Sequence, residues 1–143
     1  MDYLIQFGIL IFVQYAERNL QTEYNITPIP KPRMTQKDKW LKPPRPPVQR
    51  YWDFCLQCKL EKVVLPCYGA RVTFVLPIPK SYSQKRRNEW IGKPHMQRPD
   101  LSNLLKALED AIYQEDSGIY DIWIEKKWGY HGMIIISDHK KED

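Results

Sequence analysis

At 143 residues, 43% hydrophobic and 27% charged, the chain has the size of one domain and the composition of a globular protein rather than a disordered one. That length buries a core without needing disulfide or metal staples. The net charge of +5 hides a segregation: residues 24–99 carry 16 Lys or Arg against 4 Asp or Glu, and residues 100–143 carry 5 against 10. A basic surface beside a group of carboxylates suits a polyanionic partner; the plainer alternative is that solvated lysines keep the protein soluble.

Residues 1–23 read as an N-terminal extension. Within it, Tyr3–Tyr15 holds Leu4, Ile5, Phe7, Ile9, Leu10, Ile11, Phe12 and Val13. This run is shorter than the about 20 apolar residues of a membrane span. It also lacks the basic start and the small-residue cleavage site of a secretory signal. Two readings stay open: an element packed on the domain or on a second subunit, or a poorly ordered upstream segment.

Tyr24–Ile29 alternates and reads as a strand. Prolines at 30, 32, 43, 44, 46 and 47 then oppose both a regular helix and a central strand. Among them stand Lys31, Arg33, Lys37, Lys39, Lys42 and Arg45, with Trp40 in the middle and Arg50 just beyond. A stiff basic loop with an aromatic suits a nucleic-acid backbone, where charge meets phosphate and a ring stacks; a proline-stiffened surface loop is the equal alternative.

The spacing of Tyr51, Trp52, Cys55, Leu56, Lys59 and Val63 predicts a helix over 48–63, ended by Pro66 and Gly69. Cys55 and Cys58 form a CxxC inside it. Zinc needs four ligands, and only Cys67, His95, His131 and His139 are left to supply the others. Buried thiols are therefore favoured over a zinc-stabilised interaction module. An odd count of three cysteines without a secretory signal points to a reducing compartment.

Ala70–Leu76 is a β-branched strand stopped by Pro77 and Pro79. A short basic helix over 81–90 carries Lys85, Arg86 and Arg87, with Lys80 just before it, and a loop through Gly92, Pro94, Arg98 and Pro99 follows. A helix over 100–113 comes next, then a turn at 115–118 and a strand over 119–128. Gly129–Gly132 then turns the chain into Met133–Ile136, which predicts a hairpin, and a charged tail fills 138–143.

On the helix starting at Asp100, Leu101, Leu104, Leu105, Leu108, Ala111 and Ile112 share one face at about 100° per residue. Ser102, Asn103, Lys106, Glu109, Asp110 and Tyr113 share the other. As helix physics alone, Asp100 is an N-cap, Lys106 and Asp110 are a surface pair, and Glu115 and Asp116 are turn residues.

The run Arg98-Pro-Asp-Leu-Ser-Asn-Leu-Leu-Lys-Ala-Leu-Glu-Asp-Ala-Ile112, followed by Glu115-Asp-Ser-Gly-Ile119, resembles the signature of the RusA-like Holliday junction resolvases (crossover junction endodeoxyribonucleases). The family pattern is an Asp, an apolar residue, Asp-Asn, a Lys three positions on, then a second acidic pair. Pro28–Arg33 and Val75–Lys80 resemble its earlier strands, so the likeness runs over 24–137. The resemblance implies an α+β fold with a small mixed sheet. It also implies a homodimer away from membranes, in the cytoplasm of a bacterium or phage-infected cell, acting on branched double-stranded DNA.

The implied chemistry is phosphodiester hydrolysis with Mg²⁺, Mn²⁺ being a substitute. The resemblance assigns catalysis to Asp100, Lys106 and Asp116. It assigns the metal to Asp100 and Asp116 with Glu115, and support to Ser102 and Asn103. DNA contacts fall to Lys31, Arg33, Lys37, Lys39, Lys42, Arg45, Arg50, Lys80, Lys85, Arg86, Arg87 and Arg98. One departure stands out: the second acid of the family's Asp-x-Asp-Asn is Ser102 here. A hydroxyl is a neutral and weak Mg²⁺ ligand. Either Glu115, Asp121 or Glu109 supplies the lost charge, or the metal binds less tightly. A binder of branched DNA without cleavage is the rival reading.

Overall fold

The computed structural model describes residues 21–66, 68–113 and 117–138. The apolar run at 3–15, Cys67, Glu115, Asp116 and the tail beyond 138 lie outside the described residues. Four strands, β1 (Thr22–Tyr24), β2 (Tyr68–Pro77), β3 (Asp121–Gly129) and β4 (Met133–Asp138), join three helices, α1 (Pro46–Leu60), α2 (Gln84–Trp90) and α3 (Leu101–Ile112). The sheet is mixed, in the order β1-β4-β2-β3, with β2 and β3 parallel and the other pairs antiparallel. This is the expected α+β arrangement.

β2 is central because its sequence buries on both faces: Val72, Thr73, Phe74, Val75 and Leu76 are all buried. Val72, Phe74 and Leu76 join Ile134 and Ile136 of β4 in the core. Over that face lie Tyr51, Phe54 and Cys58 of α1 and Leu104, Ala107, Leu108 and Ala111 of α3. α3 packs against both α1 and β3. No helix among the described residues is long and apolar enough to cross a membrane.

The hairpin expected of β3 and β4 does not form. Both strands pair with β2, which lies between them, so Tyr130–Gly132 carries the chain across the end of β2. The crossing is tight. A Cβ on Gly129 would stand 2.3 Å from Val75 Cγ1, and one on Gly132 would stand 2.3 Å from Thr27 Oγ1 and 2.6 Å from Thr27 Cα. The strand expected over 24–29 lies earlier and is shorter: Thr22–Tyr24 pairs, so the two ranges share Tyr24 alone. The alternation over 24–29 reflects burial of Ile26 and Pro28 in a segment without ladder pairing, where Ile26 N turns back to donate to Tyr24 O at 2.8 Å.

α1 starts two residues earlier than expected, with Pro46 and Pro47 in its first turn. Proline is harmless there, because those N–H groups have no helical acceptor. Its end comes before Pro66: Val63 N donates to Cys58 O at 3.0 Å and Lys62 N to Lys59 O at 3.2 Å. Lys62 takes the left-handed conformation at φ 53° that this closure requires.

Candidate functional site

The site is built on α3. Its apolar residues face the core as expected, with Ala107 buried beside Leu104 and Leu108. Tyr113 departs from the expected polar face: it packs on the core and its hydroxyl donates to Leu65 O. A phenol covers apolar surface with its ring while its tip bonds a carbonyl.

Asp100 is the N-cap, and its backbone oxygen accepts from Asn103 N and Leu104 N at 3.1 Å each. Its carboxylate is exposed and makes no cap hydrogen bond to the helix. The helix therefore does not consume this acid. Asp100 lines a groove with Pro30, Arg98, Pro99 and Asn103, and Ser102 next to it is exposed.

One to three turns further along the same side of α3 stand Asn103, Lys106 and Asp110. Lys106 Nζ lies 3.3 Å from Asp110 Oδ1. Lys31 reaches across from the proline-rich segment. Its ammonium pairs with Asp110 Oδ2 and sits 5.8 Å from the Tyr51 ring centroid, and its backbone N donates to Asn103 O at 3.4 Å. Asp110 thus holds two lysines beside the groove, and Lys31 is part of the α3 site rather than of the free loop.

The acids expected to complete the metal set, Glu115 and Asp116, lie outside the described residues. Among the described residues, no group of three His, Cys, Asp or Glu is placed to hold a metal ion. The donors that line the groove are oxygen-bearing: the Asp100 carboxylate and the Asn103 carboxamide. Mg²⁺ takes oxygen ligands and commonly only one or two carboxylates, so this donor chemistry fits it. Of the other acids weighed against Ser102, Asp121 opens β3 and Glu109 is half-buried on α3.

The basic residues divide into two groups. Arg33, Lys37, Lys39, Lys42, Arg50, Lys80, Lys85 and Arg98 are exposed. Arg45, Arg86 and Arg87 are engaged by the protein itself. Arg45 Nε and Nη2 hold Asp38 at 2.7 and 2.8 Å, and Nη2 also donates to Arg33 O at 3.0 Å. Asp38 is buried and accepts from Thr35 N at 2.6 Å as well. The Arg45 guanidinium, followed by the Thr35 amide, holds the Asp38 carboxyl well below the usual carboxylate range. This pair ties Thr35, the short 3₁₀ turn at Gln36–Lys39 and Arg45 together, and so shapes the basic loop. Arg86 stacks on Tyr82 at 3.7 Å and Trp90 at 4.9 Å, while Arg87 is half-buried and points Nη2 at Pro79 O, 3.4 Å away.

The loop before Asp100 runs along the outer edge of β3. Gly92 N donates to Trp128 O, Trp128 N to Lys93 O and His95 N to Lys126 O, at 2.8, 3.0 and 3.1 Å. The buried His95 ring lies 4.0 Å from the Trp128 ring, and burial, with Lys126 second, lowers its pKa. On α1, Cys58 lies in the core and burial pushes its thiol up to about 12. Zinc needs four ligands, and among the described residues Cys55 and Cys58 have no His, Cys, Asp or Glu placed with them to form such a group.

Sequence reasoning missed the roles of Asp38 and Lys126; for Asp110 it found the Lys106 pair, which forms, but not the pair with Lys31. For Asp38 the available signal was its spacing three residues after Thr35, that of a capping box, which the structure forms.

A model of the family described as endodeoxyribonuclease RusA matches residues 23–137. No curated protein matches the chain.

Proposed function

The chain belongs to the endodeoxyribonuclease RusA family, and from that membership we propose a Mg²⁺-dependent nuclease that resolves four-way DNA junctions by paired nicking, in recombination and repair. The observation that carries the reading is the Asp100 carboxylate, exposed at the start of α3 and unused by the cap. Asp100 and Asp116, with Glu115, would hold the metal. When bound, the metal would polarise the scissile phosphate and lower the pKa of the attacking water, so that it can lose a proton and act as the nucleophile.

The chain's own residues supply the rest. Lys106 and Lys31 bring two positive charges to the groove, where they favour the extra negative charge of the phosphoryl transition state. Asp110 holds both ammonium groups in place until the phosphate arrives. Asn103 offers a carboxamide to a phosphate oxygen or a water. Arg33, Lys37, Lys39 and Lys42 contact the DNA backbone from a loop that Asp38 and Arg45 keep in shape.

A two-fold dimer would present two such sites to the two opposed strands of a junction. The exposed stripe Trp52, Leu56 and Leu60 on α1 supports this, since an apolar run of that kind marks an interaction face. The second reading, a junction binder without cleavage, rests on Ser102 alone.

Incubating the protein with a synthetic four-way junction, with and without Mg²⁺ or Mn²⁺, separates the two. Metal-dependent nicks in opposed strands are expected. Tight binding with no nicking at any metal or protein dose would establish the binder.

A further inference from the structure

We propose that Lys126 is a positioning residue for Asp100. It lies on β3, an edge strand of the sheet, and it grips the loop that delivers Asp100 at two levels. Its backbone oxygen accepts from His95 N at 3.1 Å. Its ammonium donates to Gln97 O and to Pro99 O, the latter at 2.6 Å. Pro99 is the residue directly before Asp100, so the second bond ends one peptide from the proposed metal-holding acid.

The chemistry of the contact explains why a lysine stands here. Residues 92–95 run along β3 with strand-like backbone bonds, including a bridge between Pro94 and Lys127. Past His95 the chain must leave that edge and turn toward the start of α3. The carbonyls of Gln97 and Pro99 then have no strand N–H to bond. An ammonium on a flexible stem has three donors and satisfies two carbonyls that point in different directions. Charge-assisted bonds of this kind are shorter and stronger than neutral ones. Both ends of the 95–99 loop are thereby fixed to one rigid strand, and a site held by rigid elements keeps its reacting groups in register.

The proposal deepens the nuclease reading and rests on it for its activity readout alone. The test uses the full chain with Lys126→Met and Lys126→Arg, a thermal melt serving as the fold control. Single-turnover cleavage of a four-way junction is followed across a Mg²⁺ titration, with junction affinity measured in parallel without metal. Lys126→Met is expected to raise the Mg²⁺ midpoint and to slow the saturated rate about tenfold or more, the scale on which small misplacements act. Junction affinity should change less than about threefold, because Lys126 is engaged by carbonyls rather than offered to phosphate. Lys126→Arg, which keeps charge and donors, should recover most of the loss. A Lys126→Met protein with the parent's rate and Mg²⁺ midpoint would overturn the proposal. So would a fall in affinity that matches the fall in rate, since Lys126 would then be a DNA contact.

A metal-free readout keeps the proposal testable if no variant cleaves. Backbone amide signals of Gln97, Arg98 and Asp100 should broaden or shift in Lys126→Met while those of β2 stay put. Unchanged signals there would overturn the positioning role independently of any nuclease activity.

Discussion

Replacing Asp100 with alanine separates a structural acid from a functional one. An N-cap Asp whose side chain bonds the first-turn amides loses about 0.5–2 kcal/mol on truncation. The Asp100 side chain makes no such bond. What remains is the attraction between its charge and the helix dipole, about 0.3–1 kcal/mol at an exposed end and weaker in salt. The thermal midpoint should therefore drop by about 4 °C at most for a domain of this size. Cleavage should fall far more, by about 10²–10³, the loss that follows removal of one electrostatic group at a reaction centre. Junction affinity should hold or rise slightly, since an acid is removed from the groove proposed to face DNA. The assays are a thermal melt, a binding titration and single-turnover cleavage of a four-way junction. Destabilisation near about 2 kcal/mol, the full value of a bonded cap, with unchanged cleavage by the folded fraction would refute the reasoning and make Asp100 a cap.

Three further outcomes follow from the geometry. Gly132→Ala places a Cβ 2.6 Å from the Thr27 backbone, and overpacking of this kind should cost about 1–3 kcal/mol in urea unfolding, so that a change below about 0.5 kcal/mol would contradict the described crossing of β2. Asp38 has a depressed folded pKa, so its stabilising contribution is full above the unfolded value of about 4 and is lost as pH falls below it. Unfolding measured against pH should show the stability gap between the parent and Asp38→Asn narrowing below about pH 4, and a gap that stays constant down to about pH 2 would argue against the Arg45 contact. Changing Lys37, Lys39 and Lys42 together to Ala should flatten the dependence of log affinity on log salt by about 0.9 for each phosphate that the loop ceases to neutralise; an unchanged slope would remove the loop from the DNA interface.

The residues that define α3 were readable because an amphipathic helix carries its own periodicity. Leu104, Leu108 and Ala111 declare the buried side, and Asn103, Lys106 and Asp110 the groove side, with Tyr113 the exception. β2 was readable in another way, as an apolar run rich in β-branched residues, Val72, Thr73 and Val75, and stopped by proline. The pairing of β3 and β4 was not. A short glycine-bearing link between two strands favours a hairpin locally, but β2 buries on both faces and takes the middle place between them. Local turn chemistry cannot report which strand is central.

Charge was legible as a total and illegible as pairs. Arg45 and Lys31 counted as free cations in the sequence, yet each has a carboxylate distant along the chain or folded back onto it, Asp38 for one and Asp110 for the other. Lys126 showed no motif at all, because its partners are backbone carbonyls that any sequence supplies. The role of Asp100 lay between these cases. Sequence marks it as a helix start, and only geometry shows that the cap leaves its carboxylate unused.

The most direct measurement is single-turnover cleavage of a four-way junction in Mg²⁺, set beside a linear duplex of the same sequence, by the parent protein and by Asp116→Asn. The expected result is paired nicking of the junction and not of the duplex by the parent, with the variant binding the junction equally well and leaving it uncut. Equal cleavage by the variant, or a parent that binds the junction and never nicks it, would contradict the account.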